Sequence, residues 1–469
     1  DDEATPLWLQ RSFYIWLSVF NLFVVSIFWS FMADIFRPGQ AQRLFGFIMA
    51  GGSIGAILVR VADGDPDAHM GRPGQVGDLH GGIATDSPFH RRQADHNRMK
   101  VWSRWCDYLS VPAYWRADME YFAGRNACGV FDLTPMVKHR FTGPDALACL
   151  NRMVTRDVAK IRPGRVGYTV WCNEQGQVLD DGTIFHLGEN DYRVCSQERQ
   201  IDWFLASADG FDVEVREDTH EVAALAAQGP TSCAVLKNMG LSGVERLKPF
   251  ELAYFDSGGF RLMVSRTGFT GDLGYELWTD PGNAEALWDR LFEAGELHGI
   301  RALGSRALDL LRIEAGFILA GIDFLPAWGA VRPGHTRSPF ELGLDWLVNF
   351  DKGLFTGRRA LLEERARGSR YRLVKLDVEG NKPARDAYVY NSKGKVIGTV
   401  TSAMWSPSAK ASIALASVER PHGETGERLQ AEIYYRRELK WHRVMANARV
   451  VDTPFWDPPR RRQTPPADF

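Results

Sequence analysis

The sequence has few cysteines and no excess charge of either sign. Its 469 residues include six cysteines, and 56 basic residues nearly balance 58 acidic ones, for a formal net charge of -2 at pH 7. The cysteines form no CxxC pair and have no metal-ligand spacing, which is typical of buried thiols and argues against a disulfide framework or a metal site. Because nucleic-acid binding needs a surplus of positive charge, the composition also predicts no nucleic-acid partner.

Common catalytic motifs are also missing. The chain has no Walker A sequence, no GxGxxG between a strand and a helix, no GxSxG elbow and no HExxH. The glycine-rich stretch SRTGFTGDLGYELW, from Ser265 to Trp278, lacks the Lys-Ser/Thr pair of a phosphate loop. These absences leave polar side chains within apolar segments as the candidates for function.

A long apolar run lies near the start of the chain. The residues from Ser12 to Ala33 carry no charge, and that length is sufficient to span a bilayer. A second run, Leu44 to Val59, contains a GxxxG motif suited to helix packing. We interpret residues 1–60 as a transmembrane helical hairpin, and they resemble a fragment of a major-facilitator permease. The alternatives for the first run are a buried core helix and a signal peptide, although the acidic leader DDEATP argues against the latter.

The rest of the chain has the composition of a globular protein, with 45% hydrophobic and 24% charged residues overall. Helices and strands do not alternate in βαβ order, which favours an α+β fold. Short strands separated by Gly and Asn turns near the C-terminus predict an all-β barrel or jelly roll. We expect a cytoplasmic body, with membrane contact only through residues 12–59. The expected divisions are 1–60 hairpin, 61–86 linker, 87–345 α+β domain, 346–371 connector, 372–455 β-barrel domain and 456–469 basic proline-rich tail.

Charged side chains within apolar segments are the strongest chemical signal. The stretch VWCNEQGQVLDDGTIFHL places Asp180 and Asp181 side by side in a predicted strand, where two charges are costly unless they are used or paired. Successive strand residues face opposite sides, so we expect Asp180 to face solvent or a local cation. Glu276 in GYELW and Arg312 in LLRIEAG are further candidates; the alternative for Arg312 is a structural ion pair with Glu314.

Several segments, in this order, resemble the aminomethyltransferase family, which includes the glycine-cleavage T protein. They are GVFDLTPMVKHRFTGPDALACLNRMVTRDVAKIRPGRVGYTVWCNEQGQVLDDGTIFHL, RTGFTGDLGYEL, ALDLLRIEAG, SPFELGLDWLV and IGTVTSAMWSP. The match runs from about residue 88 to 461. It implies a three-domain cloverleaf around a channel that holds tetrahydrofolate. It also implies a one-carbon transferase that takes an aminomethyl or methyl group from a small amine, ether or thioether. A lipoyl carrier protein is the donor partner of the T protein.

The resemblance also implies roles for six residues. The second acid of the DD pair, Asp181, would be the catalytic carboxylate, which orients a folate nitrogen or moves a proton. Glu276 would accept hydrogen bonds from the pterin, and Arg312 would meet the glutamate tail of folate. Tyr168 and Met136 would line the pterin slot. Phe269 stands where the family has a tyrosine in this cofactor-binding region.

Some positions depart from the family pattern. A histidine before the methionine is replaced, since Thr134 and Pro135 precede Met136. Phe269 lacks a hydroxyl group, a further family tyrosine falls near Ala320, and Gly182 replaces the leucine after the DD pair. Because several of these changes lie on the donor side, the sequence leaves the donor open. The alternatives are a folate-binding or regulatory protein without turnover, and a fusion linked to a membrane transporter.

Overall fold

The structure is a computed structural model that describes residues 84–330 and 333–466. The predicted membrane hairpin, residues 12–59, and the segment that resembles a permease lie outside the described residues, as does most of the predicted linker. Within the described ranges, no helix combines the length and the apolar character needed to cross a bilayer. These ranges form a six-stranded sheet, a five-stranded sheet, a two-stranded hairpin and a closed barrel.

Eight α-helices and nineteen strands occur in the described residues. The helices are α1 His90–His96, α2 Ala117–Asn126, α3 Ala146–Met153, α4 Ile201–Ser207, α5 Ser232–Asn238, α6 Ala284–Gly295, α7 Ser305–Glu314 and α8 Arg358–Arg367. The strands before the barrel are β1 Ser103–Trp105, β2 Tyr108–Ser110, β3 Gly129–Asp132, β4 Val137–Thr142, β5 Val166–Cys172, β6 Val178–Gly188, β7 Asp191–Ser196, β8 Glu214–Glu217, β9 Ala223–Gln228, β10 Leu252–Asp256, β11 Arg261–Ser265, β12 Gly274–Thr279 and β13 Arg301–Ala302. The barrel strands are β14 Tyr371–Val378, β15 Tyr388–Tyr390, β16 Val396–Ser406, β17 Ala411–Glu419, β18 Arg428–Arg437 and β19 Lys440–Val451.

The six-stranded sheet has the order β10-β11-β12-β9-β3-β13, and only its β3–β13 pair is parallel. The central strand β9, AALAAQ, is buried along its whole length. On one face α5 and α6 pack against the sheet, because the apolar spacing in α6 directs Leu287, Trp288 and Leu291 toward the core. This face is therefore closed to ligands.

The five-stranded sheet has the order β5-β6-β7-β4-β8 and is antiparallel throughout. Its outer face is covered by α3 and α4, where Phe204 contacts Phe141 and Trp171 at ring-centroid distances of 5.4 and 5.5 Å. The strand β6 is consequently buried on both sides over much of its length. A residue on its outer face meets this aromatic core and no solvent.

The inner faces of the two sheets meet in an apolar layer, which we call the inter-sheet layer. At its centre Phe185 of β6 and Trp278 of β12 lie edge to face, with ring centroids 5.0 Å apart. Side chains of α2 and α7, among them Tyr121 and Leu311, extend the same apolar cluster. The layer fixes which side chains of β6 and β12 face one another.

The C-terminal domain is a closed barrel with the order β14-β17-β16-β15-β18-β19. Alternating side chains fill it, because small residues such as Ala414, Ala416 and Ala431 leave room for the valines and isoleucines of the facing strands. The predicted C-terminal β-barrel is confirmed, and it forms in place of the jelly-roll alternative. It follows an α+β body, as the sequence predicts.

Candidate active site

Asp181 and Tyr168 form the centre of the candidate site on the β5–β6 hairpin. Tyr168 lies opposite Thr183 in the strand register, and Thr183 is on the same face of β6 as Asp181 because side chains alternate. The Tyr168 hydroxyl donates a hydrogen bond of 2.8 Å to Oδ2 of Asp181. The hairpin therefore orients this carboxylate through a neighbour that the sequence analysis had placed only in the pterin slot.

The surroundings of Asp181 adjust its proton affinity. Burial raises the pKa of its carboxyl to about 6, the hydrogen bond from Tyr168 opposes this rise by stabilising the carboxylate, and the negative charge of Asp323 adds to the rise. A carboxyl group with this pKa is mostly ionised at neutral pH and accepts a proton in mild acid. It is suited to general acid-base catalysis near neutrality.

The neighbouring Asp180 does not face solvent or a cation, so that expectation is wrong. Its side chain is fully buried beneath the outer face of the sheet, where its two oxygens accept N–H groups of Asp181 at 2.9 Å, Gln200 at 3.0 Å and Glu198 at 3.4 Å. The alternation of β6 is as predicted. The error arose because α4 and its neighbours cover the second face, which a single-strand pattern cannot reveal.

The packing around Gly182 explains why this position, where the family has a leucine, holds a glycine. A Cβ atom at this position would lie 2.2 Å from the carbonyl oxygen of Cys195 and 3.1 Å from the Trp171 ring. Strand β7 is therefore packed against β6 so closely that no side chain fits between them.

Glu276 lies on β12 and also faces the inter-sheet layer. Glu276 and Trp278 are on the same side of β12. Trp278 contacts Phe185, which is on the same side of β6 as Asp181. The hydroxyl of Thr267 donates to Oε2 of Glu276 at 2.6 Å, with Ser265 at 3.4 Å. Burial raises the pKa of Glu276 to about 7, although both hydroxyls lower it.

No described residue donates a hydrogen bond to the other oxygen of Glu276, Oε1. This half-buried carboxylate thus has one oxygen fixed by the protein and one available to a ligand. A group with N–H donors would satisfy it and favour its ionised form.

Met136 reaches the same layer from a turn before β4. Its side chain packs against the cluster that contains Phe185 and Trp278. The ammonium group of the fully buried Lys138 donates to the carbonyl oxygens of Thr134 at 2.8 Å and Met136 at 2.7 Å. This lysine, which the sequence analysis did not select, holds the turn in place.

Phe269 follows β11 and stacks on Phe317, with ring centroids 5.6 Å apart at 26°. The guanidinium of Arg461 lies 5.0 Å from the centroid of the Phe317 ring. The position that lacks a tyrosine hydroxyl is therefore part of an aromatic pair that presents flat apolar surface.

Arg312 is buried in an ion-pair network. Its Nε donates to Asp309 at 2.9 Å, one terminal nitrogen donates to Asp323 at 2.5 Å, and the other donates to Ser402 at 2.8 Å. The side chain is 1% exposed. Glu314 instead pairs with Arg125 at 2.8 Å, so the predicted Arg312–Glu314 pair does not form. The geometry favours a structural role for Arg312 over contact with a free carboxylate.

Trp346 is a candidate site residue that the sequence analysis did not select. It is 63% exposed, and its ring centroid lies 6.1 Å from that of Tyr168. A large exposed aromatic beside the tyrosine that orients Asp181 is unusual for a structural residue. The segment GLDWLV contributed to the family resemblance, but nothing in its pattern indicated that the tryptophan is exposed.

Comparison with known protein families agrees with this architecture. The model of the GCVT N-terminal domain matches residues 89–352, and the model of the glycine cleavage T-protein C-terminal barrel domain matches residues 371–457. Two domain models in this order cover the α+β body and the barrel. The chain therefore belongs to the glycine cleavage T-protein family of aminomethyltransferases.

Individual relatives share about a third of the aligned residues. An aminomethyltransferase of Halothermothrix orenii is 33% identical, over 70% of this chain and 88% of that protein. A trimethylamine-oxide aldolase of Ruegeria pomeroyi is 35% identical over 76% of this chain, which spans about half (46%) of its length. The crystal structure of glycine cleavage system aminomethyltransferase T from Bartonella henselae superimposes with a TM-score of 0.69 at 25% identity, over 80% of this chain and 98% of that chain.

Proposed function

We propose that the protein is a tetrahydrofolate-dependent one-carbon transferase in which Asp181 is the catalytic carboxylate. The observation that carries the proposal is the position of Asp181. It is half-buried, oriented by Tyr168 at 2.8 Å and directed toward the inter-sheet layer that Glu276 also faces. Membership of the T-protein family supports the same reaction class.

The residues of the site fit a flat heterocycle with N–H donors. Glu276 has a free carboxylate oxygen, Met136 contributes apolar surface, and the Phe269–Phe317 pair contributes aromatic faces. Tetrahydrofolate, when bound, would supply the nitrogen that accepts the one-carbon group. We assign Glu276 to its pterin N–H groups, and we leave Arg312 out of the binding site because four of its five N–H donors already have protein partners.

In this proposal each residue has a separate role. Asp181 carries a negative charge above about pH 6, so it can stabilise a positive centre on the donor carbon or accept a proton. Tyr168 keeps Oδ2 of Asp181 in one orientation. The apolar cluster around Phe185 and Trp278 limits water, which strengthens every electrostatic contact in the layer.

The geometry favours a small amine as the donor over a neutral ether or thioether. Among the described residues no cation forms an ion pair with Asp181, the charge that acts on its carboxyl is that of Asp323, and Arg312 is already paired with Asp309 and Asp323, so the local field remains negative. The exposed face of Trp346 can attract an ammonium group through its π-electrons. A relative is named for trimethylamine oxide, whose methyl groups are also carried by nitrogen. A lipoyl-bound aminomethyl group is the competing donor.

The test combines calorimetry with a transfer assay. We expect Asp181→Asn to bind tetrahydrofolate but to lose transfer by about 100-fold or more, the usual range for a general acid or base. Glu276→Ala should weaken tetrahydrofolate binding about tenfold. The exposed Asp209 and Glu293 provide the matched controls Asp209→Asn and Glu293→Ala. Unchanged turnover in Asp181→Asn would refute the assignment of the catalytic group.

The donor class is tested with the same protein. Methylated amines, a methyl ether, a methyl thioether and an aminomethylated lipoyl compound are supplied in turn, and folate-bound one-carbon product is measured. Transfer from amines that falls in Trp346→Leu, and is partly restored in Trp346→Phe, would support the cation-π contact. Equal transfer from the neutral ether would contradict it.

A further inference from the structure

We propose that Asp180 is a positioning residue for Asp181: it remains an uncharged carboxylic acid that holds the Asp181 backbone while Asp181 alone carries the working charge. The inference rests on the proposed function. The inference adds a role for the first member of the DD pair, which lies on the face of the sheet away from the site.

The first support is a chain of direct contacts. Oδ1 of Asp180 accepts the backbone N–H of Asp181 at 2.9 Å, which couples the conformations of the two residues. Its Oδ2 accepts the side-chain amide of Gln200 at 3.0 Å. Gln200 in turn accepts the indole N–H of Trp171 at 2.8 Å. The indole can only donate, so it fixes which end of the Gln200 amide faces Asp180.

The second support is complete burial of this chain. Asp180 and Trp171 are both 0% exposed, and they lie opposite each other in the β5–β6 register. A buried polar network whose members are joined by hydrogen bonds is rigid. The rigidity is transmitted to Asp181 through a single backbone hydrogen bond, and Tyr168 fixes the Asp181 side chain from the other face.

The third support is the absence of a compensating cation. Among the described residues, no lysine, arginine or histidine forms an ion pair with Asp180. The titratable groups that face the pair are Tyr168 on β5, Glu198 after β7, and Asp323 in the loop after α7, whose charge is already balanced by Arg312. These three groups are neutral or acidic, so a negative charge on Asp180 would have no cationic partner among them.

The protonation states follow from these surroundings. Burial raises the pKa of Asp180 well above its usual range, and the charge of Asp181 raises it further; the N–H groups of Asp181 and Glu198 oppose this rise. Ionising two adjacent carboxyl groups together costs free energy because their charges repel, so the group with better access to water ionises first. That group is Asp181, and Asp180 keeps its proton at neutral pH.

Infrared spectroscopy tests the proton directly, without folate or donor. At about pH 8, where Asp181 and Glu276 are mostly ionised, the wild-type protein should show the carbonyl band of a protonated carboxylic acid. The difference spectrum against Asp180→Asn should contain that band, and the difference against Asp181→Asn should not. If the Asp180→Asn difference shows only a carboxylate band, Asp180 is charged and the proposal is wrong.

Kinetics then separate positioning from simple stabilisation. Asp180→Asn keeps an uncharged acceptor for the Asp181 N–H, so we expect kcat to fall only about threefold and the pH midpoint of kcat/KM to stay in place. Asp180→Leu removes the acceptor and should lower kcat about tenfold or more, with tetrahydrofolate affinity largely kept. Gln200→Leu perturbs the same network one residue away, and serves if Asp180→Leu does not fold.

The outcomes are distinct. A downward shift of the midpoint by one pH unit in Asp180→Asn, or full kcat in both leucine variants, would overturn the proposal. So would an equal loss of folate affinity and kcat, since that pattern marks general destabilisation. If Asp181→Asn keeps its turnover while the infrared band is assigned to Asp180, the proposed function fails and the protonation of Asp180 stands.

Discussion

Replacing Tyr168 with phenylalanine is predicted to shift the pH profile of the enzyme without changing its fold. The variant removes one hydroxyl, whose contact in the structure is the 2.8 Å hydrogen bond to Oδ2 of Asp181. That bond stabilises the ionised carboxylate, so its loss raises the pKa of Asp181. The direction of the shift is therefore fixed by the geometry.

The magnitude follows from the strength of such a bond. A hydrogen bond to a charged group contributes about 1.5–3 kcal/mol. We use the lower value because Asp181 is only half-buried. One pKa unit corresponds to about 1.4 kcal/mol, so the acid limb of kcat/KM should move up by about one unit from its wild-type midpoint near 6. The loss in rate is then about threefold at pH 6.5 and small at pH 8.

The assay is kcat/KM for one-carbon transfer, measured across this pH range with saturating folate. Tyr388→Phe serves as the control, since Tyr388 is exposed on the barrel. A proton-detected titration of Asp181 in the free protein gives the same midpoint independently of turnover. An acid limb that stays in place, or one that moves down, would refute the reasoning that Tyr168 stabilises the working carboxylate.

Three further predictions concern other residues. Glu276→Gln should abolish the pH dependence of folate affinity, which in the wild-type protein should weaken as pH falls through about 7, where Glu276 becomes protonated. Burial lowers the pKa of His139 to about 4, below its unfolded value, so the free energy of unfolding should fall as pH drops from about 6.5 toward 4. Chemical denaturation of His139→Leu should show a shallower fall with pH. An equal fall in the two proteins would contradict this prediction. Gly182→Ala should lower the melting temperature clearly, because its Cβ would meet the Cys195 carbonyl at 2.2 Å, whereas Gly188→Ala, with open space around it, should not.

Much of the architecture was predictable from local sequence signals. The turn-rich C-terminal strands predict the barrel, and alternation within β6 correctly separates Asp180 from Asp181 onto opposite faces. These signals are readable because they depend only on residues adjacent in the chain. They do not depend on what packs above or below the strand.

The surroundings of each charged residue were not predictable. Asp180 is buried because Gln200, which follows β7, closes over the outer face of the sheet. Arg312 is buried because Asp323 and Ser402 reach it from a later loop and from the barrel. Each of these partners is distant in sequence. A pattern of charge and hydropathy identifies an embedded charge but cannot name the distant group that neutralises it.

The burial of Arg312 changes the role of the barrel in the proposed reaction. Asp323 accepts hydrogen bonds from Arg312 of α7 and from Thr401 and Ser402 of β16, and its charge acts on the pKa of Asp181. The barrel thereby helps to position the acidic group whose charge acts on a carboxylate of the α+β body. Arg312 balances Asp323, and no cation among the described residues pairs with Asp181. That unbalanced charge is what a cationic amine donor would satisfy, so the donor preference we propose depends on a contact between domains.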